Sequence, residues 1–212
     1  MITMKLKAII TSFIVFIAVP SFSQTLDTDA LASFPASTQK EVYEICRYVK
    51  LPAETQIKLA KALEQENNKF LSLLKANGGA LTVKGSNQLN KMRLKHLHEI
   101  LSEDEESQYW HGVYDEESKA EGKALADKFQ KKFNITDQNW KFINVTFYKI
   151  GLESRVLRSM MPDNPKEVNK RIAEMRADGI RVIEEKGGIL IDPDKIRLKY
   201  TRPFRPNDLR KE

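Results

Sequence analysis

Apolar residues recur at three- and four-residue spacing along most of the chain, the mark of helices with one buried face. The first run holds Val42, Ile45, Cys46 and Val49, with Ser37 as its expected cap. Leu51-Pro52 interrupts it. A second helix is expected over 52–76, burying Ile57, Leu59, Ala60, Leu63, Phe70, Leu71 and Leu74. Asn77-Gly78-Gly79 should end it, because these residues tolerate positive φ. A third is expected over 86–100, with Leu89, Met92, Leu94, Leu97 and Ile100. The fourth, over 102–132, is polar. Its apolar positions are thin (Tyr109, Trp110, Val113, Tyr114, Ala120, Leu125, Phe129), and Gly112 and Gly122 weaken it. Much of it should face water. Thr136 should cap a fifth helix, stapled by Ile135 and Trp140 and continued by Ile143, Phe147, Ile150, Val156 and Leu157. Met161-Pro162 stops it. Asn164-Pro165 starts a sixth, with Val168, Ile172, Met175, Ile180 and Ile183, and Gly187-Gly188 ends it.

The period then changes. Ile189, Leu190 and Ile191, the turn Asp192-Pro193-Asp194, and Ile196, Leu198 and Tyr200 read as two short strands. The expected fold is all-α: an antiparallel bundle or cradle of five to six helices over 24–188, with a short C-terminal β-hairpin over 189–200. Residues 24–36 read as an irregular leader and 201–212 as a loose basic tail.

The N-terminus carries a different signal. Lys5 and Lys7 precede a twelve-residue run from Ala8 to Val19 in which only Thr11 and Ser12 are polar. Pro20 breaks the run, and Ser21-Phe22-Ser23 offers small residues for a signal peptidase. The run is shorter than the roughly 20 residues of a membrane span. Residues 1–23 are therefore expected to be a signal peptide, cleaved near Ser23, and the mature protein to be periplasmic or secreted.

Charge changes the picture at the other end. The chain has a formal net charge of +6. Two lysines and no acids leave with residues 1–23, so the mature chain is +4. Residues 195–212 set Lys195, Arg197, Lys199, Arg202, Arg205, Arg210 and Lys211 against Asp208 and Glu212, which is +5, and 24–194 is −1. The basicity belongs to the tail. A uniformly basic nucleic-acid binder would look different, so no nucleic acid is expected as a partner. Arg202, Arg205 and Arg210, with Tyr200 and Phe204 among them, suit an anionic envelope surface or an acidic protein.

Three helix starts share a pattern: Leu51-Pro52-Ala53-Glu54-Thr55, Leu101-Ser102-Glu103-Asp104-Glu105 and Ile135-Thr136-Asp137-Gln138-Asn139. Eight positions after each aliphatic residue come Leu59, Tyr109 and Ile143; twelve after come Leu63, Val113 and Phe147. This resembles the Spy-like periplasmic stress-protein group, whose members carry Leu-Thr-x-x-Gln boxes before long amphipathic helices. No copy here is complete: the first lacks the hydroxyl, the second has Ser102 and Glu105, the third Ile135 and Asn139. The resemblance implies an exported, mostly helical protein, often a cradle-shaped homodimer, that acts as a chaperone in the stress response.

Candidate chemistry is sparse. One cysteine, Cys46, excludes an internal disulfide, and its apolar neighbours make it a buried thiol. His96 and His98 point to different faces of one helix. His98 with Glu99 or His111 would be weak metal ligands, and surface histidines are the plainer reading, so no metal and no cofactor are expected. No nucleophile constellation or phosphate loop is legible, and no enzymatic activity is expected. Tyr109, Trp110 and Tyr114 are candidates for an apolar surface that takes unfolded or partner protein, with core packing the plainer reading. On the surface reading, Trp110→Ala weakens holding without harming the fold. The function expected is an exported binding protein, a periplasmic chaperone or envelope-stress adaptor. The alternative is a subunit or regulator of an envelope complex that grips one partner through the hairpin and tail.

Overall fold

The computed structural model describes residues 26–133 and 135–187. The expected signal peptide, the 189–200 hairpin and the tail with Arg202, Arg205 and Arg210 lie outside them. The described residues form six helices and no strand: α1 (Ala36–Cys46), α2 (Ala53–Ala76), α3 (Val83–Ile100), α4 (Glu103–Phe133), α5 (Asp137–Met160) and α6 (Pro165–Gly187).

Local chemistry sets most of the boundaries. Ser102 and Glu105 close a reciprocal box: Glu105 N–H donates to Ser102 Oγ (3.3 Å), and Ser102 N–H donates to Glu105 Oε2 (2.8 Å). Thr136 Oγ1 accepts from Asn139 N–H at 3.2 Å. α3 starts three residues before the expected position, because Thr82 Oγ1 accepts from Gly85 N–H at 3.1 Å. Ser37 is not the cap of α1; Pro35 stands there and makes no side-chain cap bond. α2 ends where Gly78 and Gly79 take φ of 63° and 89°, and Gly79 N–H closes on the Leu74 carbonyl at 2.8 Å.

The leader is irregular but docked. Leu31 is fully buried, and Leu26 and Phe34 pack on the same core. Asp27 N–H donates to Gln56 Oε1 at 3.0 Å, while Gln56 Nε2 donates to the Leu51 carbonyl at 3.0 Å. A buried amide in α2 thus ties down both the leader and the α1–α2 link.

Two apolar cores lie along α4. The first gathers Val42, Ile45 and Cys46 of α1, Leu59, Ala60 and Leu63 of α2, Leu97 of α3, Tyr109, Trp110 and Tyr114 of α4, and Leu152 and Val156 of α5. The second gathers Leu125, Ala126 and Phe129 of α4 with Ile143, Phe147 and Ile150 of α5 and Ile183 of α6. α4 is therefore the spine of the fold, while Gln108, Glu116, Glu117, Lys123 and Lys128 keep its other side in water as expected. Its buried line runs Glu106, Trp110, Tyr114, Ser118, Gly122, Ala126, one every four residues. That line is half polar or tiny, which hides it from any count of apolar residues.

The small members of that line let α5 come close. A Cβ on Gly122 would stand 2.7 Å from the Asn144 carbonyl oxygen and 2.8 Å from Tyr148 N. Gly112 makes room for the Tyr48 ring, and Gly179 of α6 for Ile150 Cδ1, each within 2.5 Å of where a Cβ would be. These glycines cost helix propensity and return close packing. The cross-links Asp127–Trp140, Ser118–Arg155 and Tyr114–Ser159 set α4 and α5 antiparallel. α2 and α3 form a second antiparallel pair, joined through Glu66–His96 and Leu73–Gly85. Its outer half buries little: Leu71, expected in the core, is 60% exposed, and Val83 is 71% exposed.

Candidate functional site

Of the two readings of the aromatic trio, the structure shows core packing and not an exposed face. Tyr109, Trp110 and Tyr114 are buried, Trp110 to 2% exposure. Trp110 stacks on Tyr114 with centroids 5.5 Å apart and planes 13° apart, and Tyr109 tilts against Trp110 at 4.8 Å. Two of the three polar atoms have partners inside the fold. Tyr114 Oη meets Ser159 Oγ at 2.8 Å, and Trp110 Nε1 donates to Glu106 Oε1 at 3.2 Å. Burial pushes the Tyr109 hydroxyl up to about 12. The trio is where α1, α2, α4 and α5 meet, so its apolar area is spent on packing.

Around the trio lies a charged network that sequence reasoning missed. Glu66 of α2 is buried and faces two residues of α3: His96 Nδ1 is hydrogen-bonded to it at 2.8 Å, and Arg93 Nε stands beside it in an ion pair without hydrogen-bond geometry. Arg93 Nη2 continues to Glu41 Oε2 of α1 at 2.8 Å. One α3 guanidinium therefore joins three helices. The available signal was a gap. The α2 stripe of Leu59, Ala60 and Leu63 calls for an apolar residue at 66 and has a glutamate instead. A buried carboxylate on a core line needs a cation nearby.

The histidines go to separate partners. His98 Nδ1 meets Glu106 Oε2 at 3.0 Å. His111 Nε2 meets Glu153 Oε1 of α5 at 3.1 Å. No group of three or more His, Cys, Asp or Glu that would hold a metal occurs among the described residues. Ser107, His111 and Glu153 superficially align as hydroxyl, imidazole and carboxylate, with Ser107 Oγ 3.3 Å from Nδ1. Nδ1 also lies 2.7 Å from the Ser107 carbonyl oxygen. A carbonyl only accepts, so Nδ1 holds its proton there and is no base for the hydroxyl. The Glu153 hydrogen bond raises the His111 pKa above the usual histidine value, against burial, and makes the group an ionic clasp between α4 and α5. Cys46 is buried, and burial pushes its thiol up to about 11.

What the surface offers is a groove of about 370 Å³ between the start of α1 and the middle of α2, lined by Pro35, Ser37, Thr38, Glu41, Glu64, Asn67, Asn68, Phe70 and Leu71. It opens where the apolar stripe of α2 leaves the core. Its two charged lining residues are both acids, and Glu41 links it to the Arg93 network. No described helix is long and apolar enough to cross a membrane.

Compared with protein-family models, curated proteins and solved structures, the chain matches none.

Proposed function

We propose that this chain is an exported, non-enzymatic binding protein that takes up one extended apolar segment of a partner protein in the α1–α2 groove. The observation that carries this is Leu71: a leucine on the apolar stripe of a 24-residue helix, 60% exposed beside Phe70 in a walled groove. Asn67 and Asn68 also line the groove, and their amides suit a peptide main chain. Export is part of the proposal and rests on the basic start and twelve-residue apolar run of residues 1–23.

A general holdase of the Spy-like kind needs a broad apolar face. With the aromatic trio in the core, the groove favours a one-segment adaptor. The two separate by experiment. A holdase suppresses aggregation of unrelated denatured clients at stoichiometric ratios; the adaptor does not. The adaptor enriches a defined protein from envelope extracts, and Leu71→Asp abolishes that enrichment while Val145→Asp, an exposed site on α5, leaves it. Identical enrichment by parent and Leu71→Asp would remove the groove from consideration.

A further inference from the structure

We propose that Glu64 makes the α1–α2 groove selective for an extended partner segment that carries a lysine or arginine two or four residues from its apolar anchor. The inference rests on the groove as a binding site and names the chemistry of its occupant.

The charge lining the groove has one sign. The chain carries 35 Lys and Arg against 29 Asp and Glu, yet Glu41 and Glu64 are the charged residues of the lining, and none of the described residues that line it is a base. The two carboxylates differ in what already answers them. Glu41 Oε2 accepts from Arg93 Nη2 at 2.8 Å, so its charge is met inside the fold. Glu64 is half-buried, and among the described residues no hydrogen bond or ion pair ends on it. A carboxylate that loses water to a docked segment needs a donor or a cation from that segment in return. A neutral apolar segment would strip water from Glu64 and replace nothing. An acidic one would add repulsion. A lysine or arginine answers it.

Spacing sets where the cation stands. Glu64 and Leu71 are seven residues apart on α2, so they share a helix face and lie about 10.5 Å apart along the axis at 1.5 Å per residue. An extended segment laid along α2 advances about 3.3 Å per residue and turns every second side chain to the same side. With an apolar anchor on Leu71, the third residue along the segment comes level with Glu64, at about 10 Å, but its side chain points away. The second and fourth face α2 at about 6.6 and 13 Å, each roughly 3–4 Å off level. The flexible stem of a lysine or arginine makes up that difference. The groove therefore reads an apolar residue and a cation at even spacing.

The test photocrosslinks the full mature chain with short Ser/Thr peptides that carry p-benzoylphenylalanine as the anchor and a lysine two, three or four residues from it, on either side. Matched peptides carry glutamine or glutamate in place of the lysine. Mass spectrometry reads the yield of crosslinks to residues 64–71. In one of the two orientations, lysine at two or four should exceed glutamine by roughly threefold, the scale of one partly exposed charge pair, and glutamate should fall below glutamine. Lysine at three should gain less. Glu64→Lys should reverse the order, with glutamate peptides above lysine ones, and that reversal excludes misfolding as the cause. Equal yields from lysine, glutamine and glutamate peptides overturn the proposal but leave the groove's binding role standing, provided that Leu71→Asp abolishes them. A lysine preference that survives Glu64→Lys also overturns it, because the cation is then read elsewhere. So does a preference as strong at three as at two and four. The absence of any crosslink to 64–71 overturns both the proposal and the groove.

Discussion

Gly122 lies against the backbone of Asn144, with no room for a methyl group between them: a Cβ at 122 would be 2.7 Å from the Asn144 carbonyl oxygen. Backbone cannot step aside as a side-chain tip can. Gly122→Ala should therefore destabilise the fold by about 1–3 kcal/mol, despite alanine's better helix propensity. Gly179→Ala meets the flexible end of Ile150 instead and should cost less. Denaturant midpoints of the two variants check the order. A more stable Gly122→Ala would refute the close approach.

Trp110→Ala is expected to unfold the protein or destabilise it by about 3–5 kcal/mol, the cost of emptying a buried aromatic site. It also takes a donor from the buried Glu106 carboxylate. Chemical denaturation measures the loss. A variant as stable as the parent would return Trp110 to the surface.

Arg93→Met should cost about 3–5 kcal/mol, because it leaves Glu66 buried with only His96 and frees Glu41. Arg93→Met with Glu66→Leu should be less damaging than the sum of the single changes. A double-mutant cycle gives the coupling, and additivity would mean that the pair does not interact.

His111 is held in its charged form by Glu153, so its folded pKa lies above the unfolded value of about 6.5. The clasp's contribution is fully present below that value and is lost as pH rises through the folded pKa. The group is part-exposed, which keeps the effect small. The melting temperature of the parent should fall on going from pH 6 to pH 8 more than that of His111→Gln. Parallel profiles would rule out the clasp as a stabilising contact.

Cys46 should resist alkylation in the native protein. With its pKa pushed up to about 11, roughly a thousandth is thiolate at pH 8, and burial blocks the reagent as well. Iodoacetamide should label it only after unfolding. Rapid labelling of the native chain would show local opening at α1.

Helix number and most helix ends were legible, because caps and glycine stops are local chemistry. Ser102, Thr136 and Gly78-Gly79 act on neighbours a few residues away, so the sequence states them directly. The buried line of α4 was not legible. Its line of Glu106, Ser118 and Gly122 is made buried by α5, and a polar or missing side chain carries no apolar signal. Tyr109, Trp110 and Tyr114 left a surface reading open beside the core one for the same reason: polar sequence neighbours suggested water, while α1, α2 and α5 supplied the cover. The groove was illegible because its walls, Pro35 to Glu41 and Glu64 to Leu71, are far apart in sequence. Leu71 looks like any core leucine until the helix is seen to outrun the core.

α4 runs unbroken from Glu103 to Phe133 through both apolar clusters. Helix formation is cooperative, so unpacking either cluster also weakens the stretch of α4 on which the other packs. Heat should find a single calorimetric transition for α4, α5 and what packs on them. The outer half of the α2–α3 pair, beyond Glu66 and Arg93, is outside that unit. Its amides should exchange with solvent by local opening, at a free energy well below that of global unfolding. The groove borders this looser end, so an occupant clamping Phe70 and Leu71 to α1 would slow exchange in the arm while leaving the melting of the rod nearly unmoved.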